Sequence, residues 1–164
     1  MAGRTISLQV NFQEYAELSD LPEDERILLE KAVASCSKAY APYSDFHVGA
    51  AVLLANGQII LGNNQENAAY PSGICAERTA LFYAGANFPG VFVQTIALSC
   101  HSKHAIVDKP LTPCGACRQV ISEYESRQNL PIRIIMSGVT GPILACNGID
   151  QLLPLRFKGE FVKK

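Results

Sequence analysis

Three cysteines and one glutamate have the residue types and spacing of a catalytic metal site. Cys75 stands two positions before Glu77, and Cys114 and Cys117 come later in a Pro-Cys-Gly-Ala-Cys motif. A structural zinc ion takes four protein ligands, whereas a catalytic zinc takes three and leaves its fourth position to water. Neither the other cysteines nor the histidines have a spacing that supplies a fourth ligand. The sequence therefore predicts that Cys75, Cys114 and Cys117 bind a catalytic Zn²⁺.

Glu77 and two arginines are candidates for assisting the metal. A carboxylate that lies beside the metal without binding it can act as general base and then as general acid, and this is the role expected of Glu77. Three thiolates make a net negative cluster, so Arg78 is expected to donate to a ligand sulfur, with Arg118 as a second candidate. The alternative is that Glu77 only complements a helix dipole and that both arginines are ordinary surface residues.

The elements that position these residues alternate between helix and strand. An amphipathic run after Leu21 predicts a first helix, and Asn56-Gly57 between two short apolar runs predicts a β-hairpin. Residues 75–86 and 115–124 are expected to be helices that begin at the cysteine motifs, where the helix dipole stabilises thiolate. With the remaining apolar runs, the pattern predicts an α/β fold, a three-layer α/β/α sandwich with a mixed sheet of about five strands.

Length and composition indicate one domain. The chain has 164 residues, enough for a single core, so residues 1–164 are expected to form one domain with residues 1–20 as an amino-terminal extension. Within that extension, residues 5–12 alternate between polar and apolar types. This alternation predicts an edge strand or an ordered arm.

Charge and hydropathy exclude several partners. The formal net charge is −1, so the protein has no positive electrostatic field that would attract a nucleic acid polymer. No run of apolar residues is long enough for a membrane span, and the first residues do not look like a secretory leader. We therefore expect a cytoplasmic protein with neither nucleic acid nor membrane partners, in which reduced cysteines bind metal rather than form disulfides.

The motifs together resemble the zinc-dependent cytidine deaminase superfamily. Its members combine a non-ligand glutamate with a Pro-Cys-x-x-Cys pair and a His or third Cys ligand, and this chain has the cysteine variant. Asn-Gln-Glu-Asn-Ala-Ala-Tyr-Pro at 64–71, Gly-Ile-Cys-Ala-Glu-Arg-Thr-Ala at 73–80 and Pro-Tyr-Ser-Asp-Phe-His-Val-Gly-Ala-Ala at 42–51 are similar to the small, tetrameric class that acts on free nucleosides. The resemblance extends from about residue 28 to residue 157.

The resemblance implies a cytidine deaminase-like fold and a function in pyrimidine salvage. The reaction would be the hydrolytic deamination of cytidine and deoxycytidine to uridine and deoxyuridine, with release of ammonia. It also implies a homotetramer with shared active sites. Asn64 and Glu66 would bind ribose hydroxyls, Ala76 would donate its N–H to the base carbonyl, and three aromatic residues would stack on the base or close the site across subunits. The implied substrate-binding residues are Phe46, Asn64, Glu66, Tyr70, Ala76 and Phe157.

Two other functions fit part of the pattern. A deaminase for another aminated nucleoside, such as a blasticidin-like compound, would keep the zinc residues but would have less use for the block at 64–70. A non-catalytic module with a structural zinc or a redox Cys-x-x-Cys pair would not explain Cys75 together with Glu77. Deamination of a nucleic acid polymer would need a basic, aromatic surface for the flanking strand.

Overall fold

The computed structural model describes residues 3–162, which form a mixed six-stranded sheet with helices on both faces. The helices are α1 (Glu23–Ser35), α2 (Ala76–Asn87) and α3 (Gly115–Gln128). The strands are β1 (Gln13–Tyr15), β2 (Phe46–Leu54), β3 (Ile59–Asn63), β4 (Val93–Ser102), β5 (Arg133–Met136) and β6 (Ile143–Asn147). The predicted α/β sandwich is confirmed, with six strands rather than about five.

The additional strand is β1, at one edge of the sheet. The strand order is β1-β6-β5-β4-β2-β3, and only β4 and β5 run parallel to each other. β1 pairs antiparallel with β6, with Gln13 opposite Ala145. The sequence predicts an edge strand or an ordered arm over residues 5–12. The structure instead has its edge strand at Gln13–Tyr15, and residues 5–12 have no regular secondary structure. β1 pairs with the first three residues of β6, from Ile143 to Ala145.

Alternation along the central strands divides the core into two layers. Successive strand residues point to opposite faces, and the two hydrophobic clusters follow that alternation. On one face, Val52, Ile96 and Ile134 pack with Ala80 and Leu81 of α2 and Ile121 of α3. On the other face, Ala51, Ala97 and Ile135 pack with Leu28 and Leu29 of α1. The sheet is therefore covered by α2 and α3 on one side and by α1 on the other.

The predicted hairpin joins β2 to β3. Gly57 has a φ of 83°, a left-handed conformation that glycine adopts without steric cost. The Leu54 N–H donates to the Gln58 carbonyl at 2.9 Å and closes the turn. Asn56 does not share this positive φ, so the connection is a three-residue loop with glycine in its left-handed position rather than a two-residue Asn-Gly turn.

Among residues 3–162, no helix combines the length and the apolar character needed to cross a bilayer. The longest, α3, has 14 residues.

Candidate active site

The three predicted ligand cysteines meet at the amino-terminal ends of two helices. Cys75 is the N-cap of α2, Cys114 is the N-cap of α3, and Cys117 lies in the first turn of α3. Their sulfurs lie within 4.8 Å of one another. The Sγ–Sγ distance is 3.9 Å from Cys75 to Cys114 and 3.5 Å from Cys114 to Cys117.

This arrangement fits a zinc ion. A tetrahedral ion with zinc–sulfur bonds of about 2.3 Å holds two sulfurs about 3.8 Å apart, close to both distances. Thiolate is a preferred zinc ligand, and the positive ends of two helix dipoles favour the thiolate form. Within residues 3–162, the potential metal-binding group comprises these three side chains. Three ligands leave room for a fourth at the metal.

Arg78 partly compensates the negative charge of the sulfurs. Its Nη2 donates to Cys75 Sγ at 3.5 Å. The pKa of Cys75 is lowered, first by a hydrogen bond from the Cys117 thiol and then by Arg78. These contacts favour the thiolate form of Cys75. The contact predicted between Arg78 and a ligand sulfur is present in the structure.

Glu77 lies inside the protein beside the sulfurs. It is 4% exposed, and burial is the main cause of a pKa above its ordinary value. Its position depends on the close approach of α2 to β3 at Gly62, where a side-chain Cβ would collide with the Ala76 carbonyl oxygen. A residue larger than glycine there would push the first turn of α2, and Glu77 with it, away from the sheet. A carboxyl whose pKa is raised by burial holds a proton more readily than an exposed carboxyl does.

A cleft of about 490 Å³ opens beside Cys75. Its lining includes five of the predicted site residues, namely Asn64, Glu66, Tyr70, Cys75 and Arg78. The structure thus brings one metal ligand and its arginine together with three of the six predicted substrate-binding residues.

Asn64 and Glu66 are both held by hydrogen bonds to other parts of the polypeptide. Asn64 Oδ1 accepts from the Val48 N–H at 2.7 Å, and its Nδ2 donates to the Phe46 carbonyl at 2.9 Å. A side-chain amide has two donor and two acceptor positions, so one of each remains for a ligand. Glu66 accepts from the Ser44 hydroxyl and from the Tyr43 N–H at 2.9 Å. The Ser44 hydroxyl is the main cause of a Glu66 pKa below its ordinary value, because the hydrogen bond stabilises the carboxylate form.

Phe46, Ala76 and Phe157 lie outside the lining of this cleft. Ala76 is the fully buried first residue of α2, where a helix leaves N–H groups without an intrahelical acceptor. Phe46 is half-buried at the start of β2. Phe157 is 57% exposed, and its carbonyl accepts from Gln119 Nε2 at 3.0 Å.

Two features of the site are not predicted from the sequence. Ser44 donates to Glu66, 22 residues further along the chain, and no local sequence signal indicates that contact. Arg118 is expected from the sequence to donate to a ligand sulfur, but its donors contact oxygen atoms instead. It donates to the Pro113 carbonyl at 2.7 Å, the Leu152 carbonyl at 2.7 Å and Thr112 Oγ1 at 3.2 Å. It fastens the segment before Cys114 to the carboxy-terminal part of the chain.

Comparisons with known proteins agree with this geometry. Residues 22–130 match the family model for the cytidine and deoxycytidylate deaminase zinc-binding region. The chain is 38% identical over 137 residues to a cytidine deaminase of Halalkalibacterium halodurans, covering 84% of this chain and 96% of the relative. It is 36% identical over 113 residues to a cytidine deaminase of Mycobacterium tuberculosis, covering 67% and 80%. The solved cytidine deaminase of Burkholderia pseudomallei is 37% identical, with a TM-score of 0.69 over 84% of this chain and 100% of that one.

Proposed function

The chain belongs to the cytidine and deoxycytidylate deaminase zinc-binding family, and from that premise we propose that it hydrolyses cytidine and deoxycytidine to uridine and deoxyuridine with release of ammonia. This proposal rests on the placement of three cysteine thiols beside the buried carboxyl of Glu77. The sulfur of Cys114 lies 3.9 Å from that of Cys75 and 3.5 Å from that of Cys117. At least two thirds of the chain aligns with each of two relatives that are named cytidine deaminase.

Cys75, Cys114 and Cys117 would hold the zinc ion. Bound there, zinc supplies Lewis acidity that lowers the pKa of a water molecule and makes it a nucleophile near neutral pH. The Arg78 guanidinium at 3.5 Å from Cys75 Sγ withdraws charge from the thiolate cluster, which favours that acidity.

Glu77 would move the protons of the reaction. Its carboxyl would take one proton from the attacking water and deliver it to N3 of the cytosine ring. It would then take the remaining proton of the new C4 hydroxyl and pass it to the amino nitrogen, so that the C4–N bond breaks, ammonia leaves and C4 becomes a carbonyl. Burial, which leaves Glu77 4% exposed, raises its pKa above the ordinary value and so favours a carboxyl that holds a proton between these steps. One carboxyl can therefore act first as base and then as acid.

The cleft beside Cys75 would hold the nucleoside. The free amide positions of Asn64 and the ionised carboxylate of Glu66 suit ribose hydroxyls, which both donate and accept. The N–H at Ala76 would donate to O2 of the base, and Phe46 would stack near it. The negative charge of Glu66 also disfavours a sugar phosphate at this position, so we infer a free nucleoside rather than a nucleotide as substrate.

Assembly and cell context complete the proposal. Tyr70 is 76% exposed and Phe157 is 57% exposed, which suits side chains that close a neighbouring subunit's cleft in a homotetramer. The proposed enzyme acts in the cytoplasm in pyrimidine salvage. Residues 1–164 are proposed to form one domain with residues 1–20 as an extension, in keeping with a family match that begins at residue 22.

Loss of ultraviolet absorbance tests this function directly. Purified protein is mixed in parallel with cytidine, deoxycytidine, cytidine 5′-monophosphate and adenosine. Turnover of the first two, with little of the nucleotide and none of adenosine, supports the proposal. Zinc-loaded protein that leaves cytidine and deoxycytidine unchanged would contradict it, and equal turnover of the nucleotide would overturn the role given to Glu66.

A further inference from the structure

The segment before β1 has the pattern of a strand but lies exposed. Ile6, Leu8, Val10 and Phe12 alternate with polar residues, and they are 70%, 57%, 44% and 38% exposed. Their exposure thus increases with distance from β1, as the segment leaves the body of the protein. Every second residue from 6 to 12 therefore presents a large apolar side chain to solvent.

The backbone of this segment is fixed at one point. The Asn11 N–H donates to Gln151 Oε1 of its own chain at 2.7 Å. If the segment were extended as a strand, the N–H groups of Val10 and Phe12 would lie on the side opposite to that of Asn11. The segment continues into β1, which lies at an edge of the sheet. Such an edge is a template for another strand.

The sequence of this segment is complementary to itself in one antiparallel register. If two copies are centred on Gln9, so that paired residue numbers sum to 18, Ile6 lies opposite Phe12 and Leu8 lies opposite Val10. Every polar residue between them lies opposite another polar residue. At each end, Arg4 of one copy lies opposite Glu14 of the other.

Other registers lose this match. Shifting the pairing by two residues in one direction places Arg4 opposite Phe12, and shifting it in the other direction places Ile6 opposite Glu14. A shift of one residue turns the apolar rows of the two strands to opposite faces. The stretch from Thr5 to Gln13 carries no charge, so the ion pairs at its ends determine the register.

We propose that residues 4–14 form a self-pairing arm, through which two copies of this chain associate as antiparallel strands about a two-fold axis at Gln9. In this pairing the even-numbered residues, whose N–H groups would lie on the side opposite to that of Asn11, make the hydrogen-bonded pairs, and Gln9 meets its symmetry mate in a non-hydrogen-bonded pair. Because an isolated two-stranded ribbon is only marginally stable in water, the arm depends on its continuity with β1 in each sheet. This inference goes beyond deaminase activity and does not depend on it.

Site-specific disulfide formation tests the pairing and its register. Gln9→Cys places two thiols opposite each other across the axis, and side chains of a non-hydrogen-bonded pair lie close enough for a disulfide. Ser7→Cys is the matched control, because two copies of residue 7 would lie four positions, or roughly 14 Å, apart along the ribbon. Zinc-loaded variants and the unmodified protein are oxidised with glutathione disulfide, and covalent dimers are measured on non-reducing gels and mapped by mass spectrometry.

The expected result is a 9–9 disulfide that forms more than about tenfold faster than a 7–7 disulfide, since only the first meets the distance limit for a bridge. Equal rates for the two variants would overturn the register. Absence of a 9–9 disulfide at concentrations where the copies associate would overturn the pairing and indicate that the arm packs on its own chain or binds another partner.

Exchange of the charges at positions 4 and 14 provides a second test of the register. In the Gln9→Cys background, Arg4→Glu places like charges opposite each other twice, and Arg4→Glu combined with Glu14→Arg restores opposite charges. An exposed ion pair changes an equilibrium by roughly 1.4- to 5-fold, so two pairs predict about a fivefold slower crosslinking rate in the single variant and recovery in the double variant. Equal rates in all three proteins would contradict the proposed ion pairs. Deaminase activity is not the readout, so this test can fail or succeed independently of the proposed function.

Discussion

Removing the guanidinium of Arg118 is expected to loosen the zinc site without touching a ligand. Arg118 donates to the carbonyls of Pro113 and Leu152 at 2.7 Å each, and more weakly to Thr112. Pro113 directly precedes Cys114, the N-cap of α3. Arg118→Met keeps most of the side-chain volume and helix propensity but removes all of these donors.

The expected loss of stability follows from these contacts. A hydrogen bond from a charged donor contributes about 1.5–3 kcal/mol, and the half-buried position of Arg118 favours the lower part of that range. Two such bonds give a loss of about 3 kcal/mol, which corresponds to a fall in Tm of about 6–12 °C for a protein of this size. Because groups that orient metal ligands typically change metal affinity by 10- to 100-fold, the zinc Kd is expected to rise at least about tenfold.

Calorimetry of the zinc-loaded and metal-free proteins measures the fall in Tm, and competition with a chromophoric chelator measures the rise in the zinc Kd. Arg26→Met is a matched control, because the side chain of Arg26, within residues 3–162, makes a single surface ion pair, with Glu30 on α1 at 2.8 Å. Arg118→Lys should recover little, since an ammonium cannot reproduce the planar fork of a guanidinium. If Arg118→Met changes Tm and zinc affinity no more than Arg26→Met does, the positioning role of Arg118 is refuted.

Four further outcomes follow from the same geometry. Glu77→Gln should retain zinc and fold but lose about 10²- to 10⁴-fold in kcat, the usual range for a general acid–base residue; near-normal turnover would remove Glu77 as the proton carrier. Cys114→Ala should lose zinc by elemental analysis whereas Cys100→Ala, in the core, should keep it, and full occupancy in the first variant would contradict its ligand role. Chelation should lower Tm and added zinc should restore it in a concentration-dependent way; an unchanged Tm would show that the metal does not stabilise the fold. Ser44→Ala should raise KM for cytidine more than it lowers kcat, because Glu66 loses its hydroxyl donor, and the opposite pattern would count against Glu66 as a sugar-binding group.

The parts of the fold that the sequence predicts are those fixed by local pattern. Asn56-Gly57 specifies its hairpin because the required left-handed conformation is a property of the turn itself. The helix after Cys75 is predicted because its helix-forming residues and the carboxylate in its first turn are local features of the sequence, and the helix at Gly115 begins directly after the Pro-Cys pair. β1 is missed because the alternation runs through residues 5–12 as evenly as it would in a strand, whereas the residues that pair, Gln13–Tyr15, do so with β6, about 130 residues away in the chain.

The candidate site divides in the same way. The cysteine spacing and Glu77 identify the metal chemistry because three thiolates with a free carboxylate beside them suit a zinc ion that keeps one position open for water. The contact of Arg118 with the carboxy-terminal part of the chain is not predictable. Its acceptor is the backbone carbonyl of Leu152, 34 residues away in the chain, and a backbone carbonyl has no sequence signature. The bonds from Asn64 to the backbone of β2 likewise depend on tertiary packing, which the motif at 64–71 does not encode.

Titration of metal-free protein with zinc, followed by cytidine turnover at each step, decides whether the three cysteines form a catalytic zinc site. We expect activity to rise in proportion to bound zinc and to reach its limit at about one ion per chain, as a single three-thiolate catalytic site requires. Full turnover in protein that contains no zinc would contradict this role, as would zinc bound by Cys75, Cys114 and Cys117 without any deamination of cytidine.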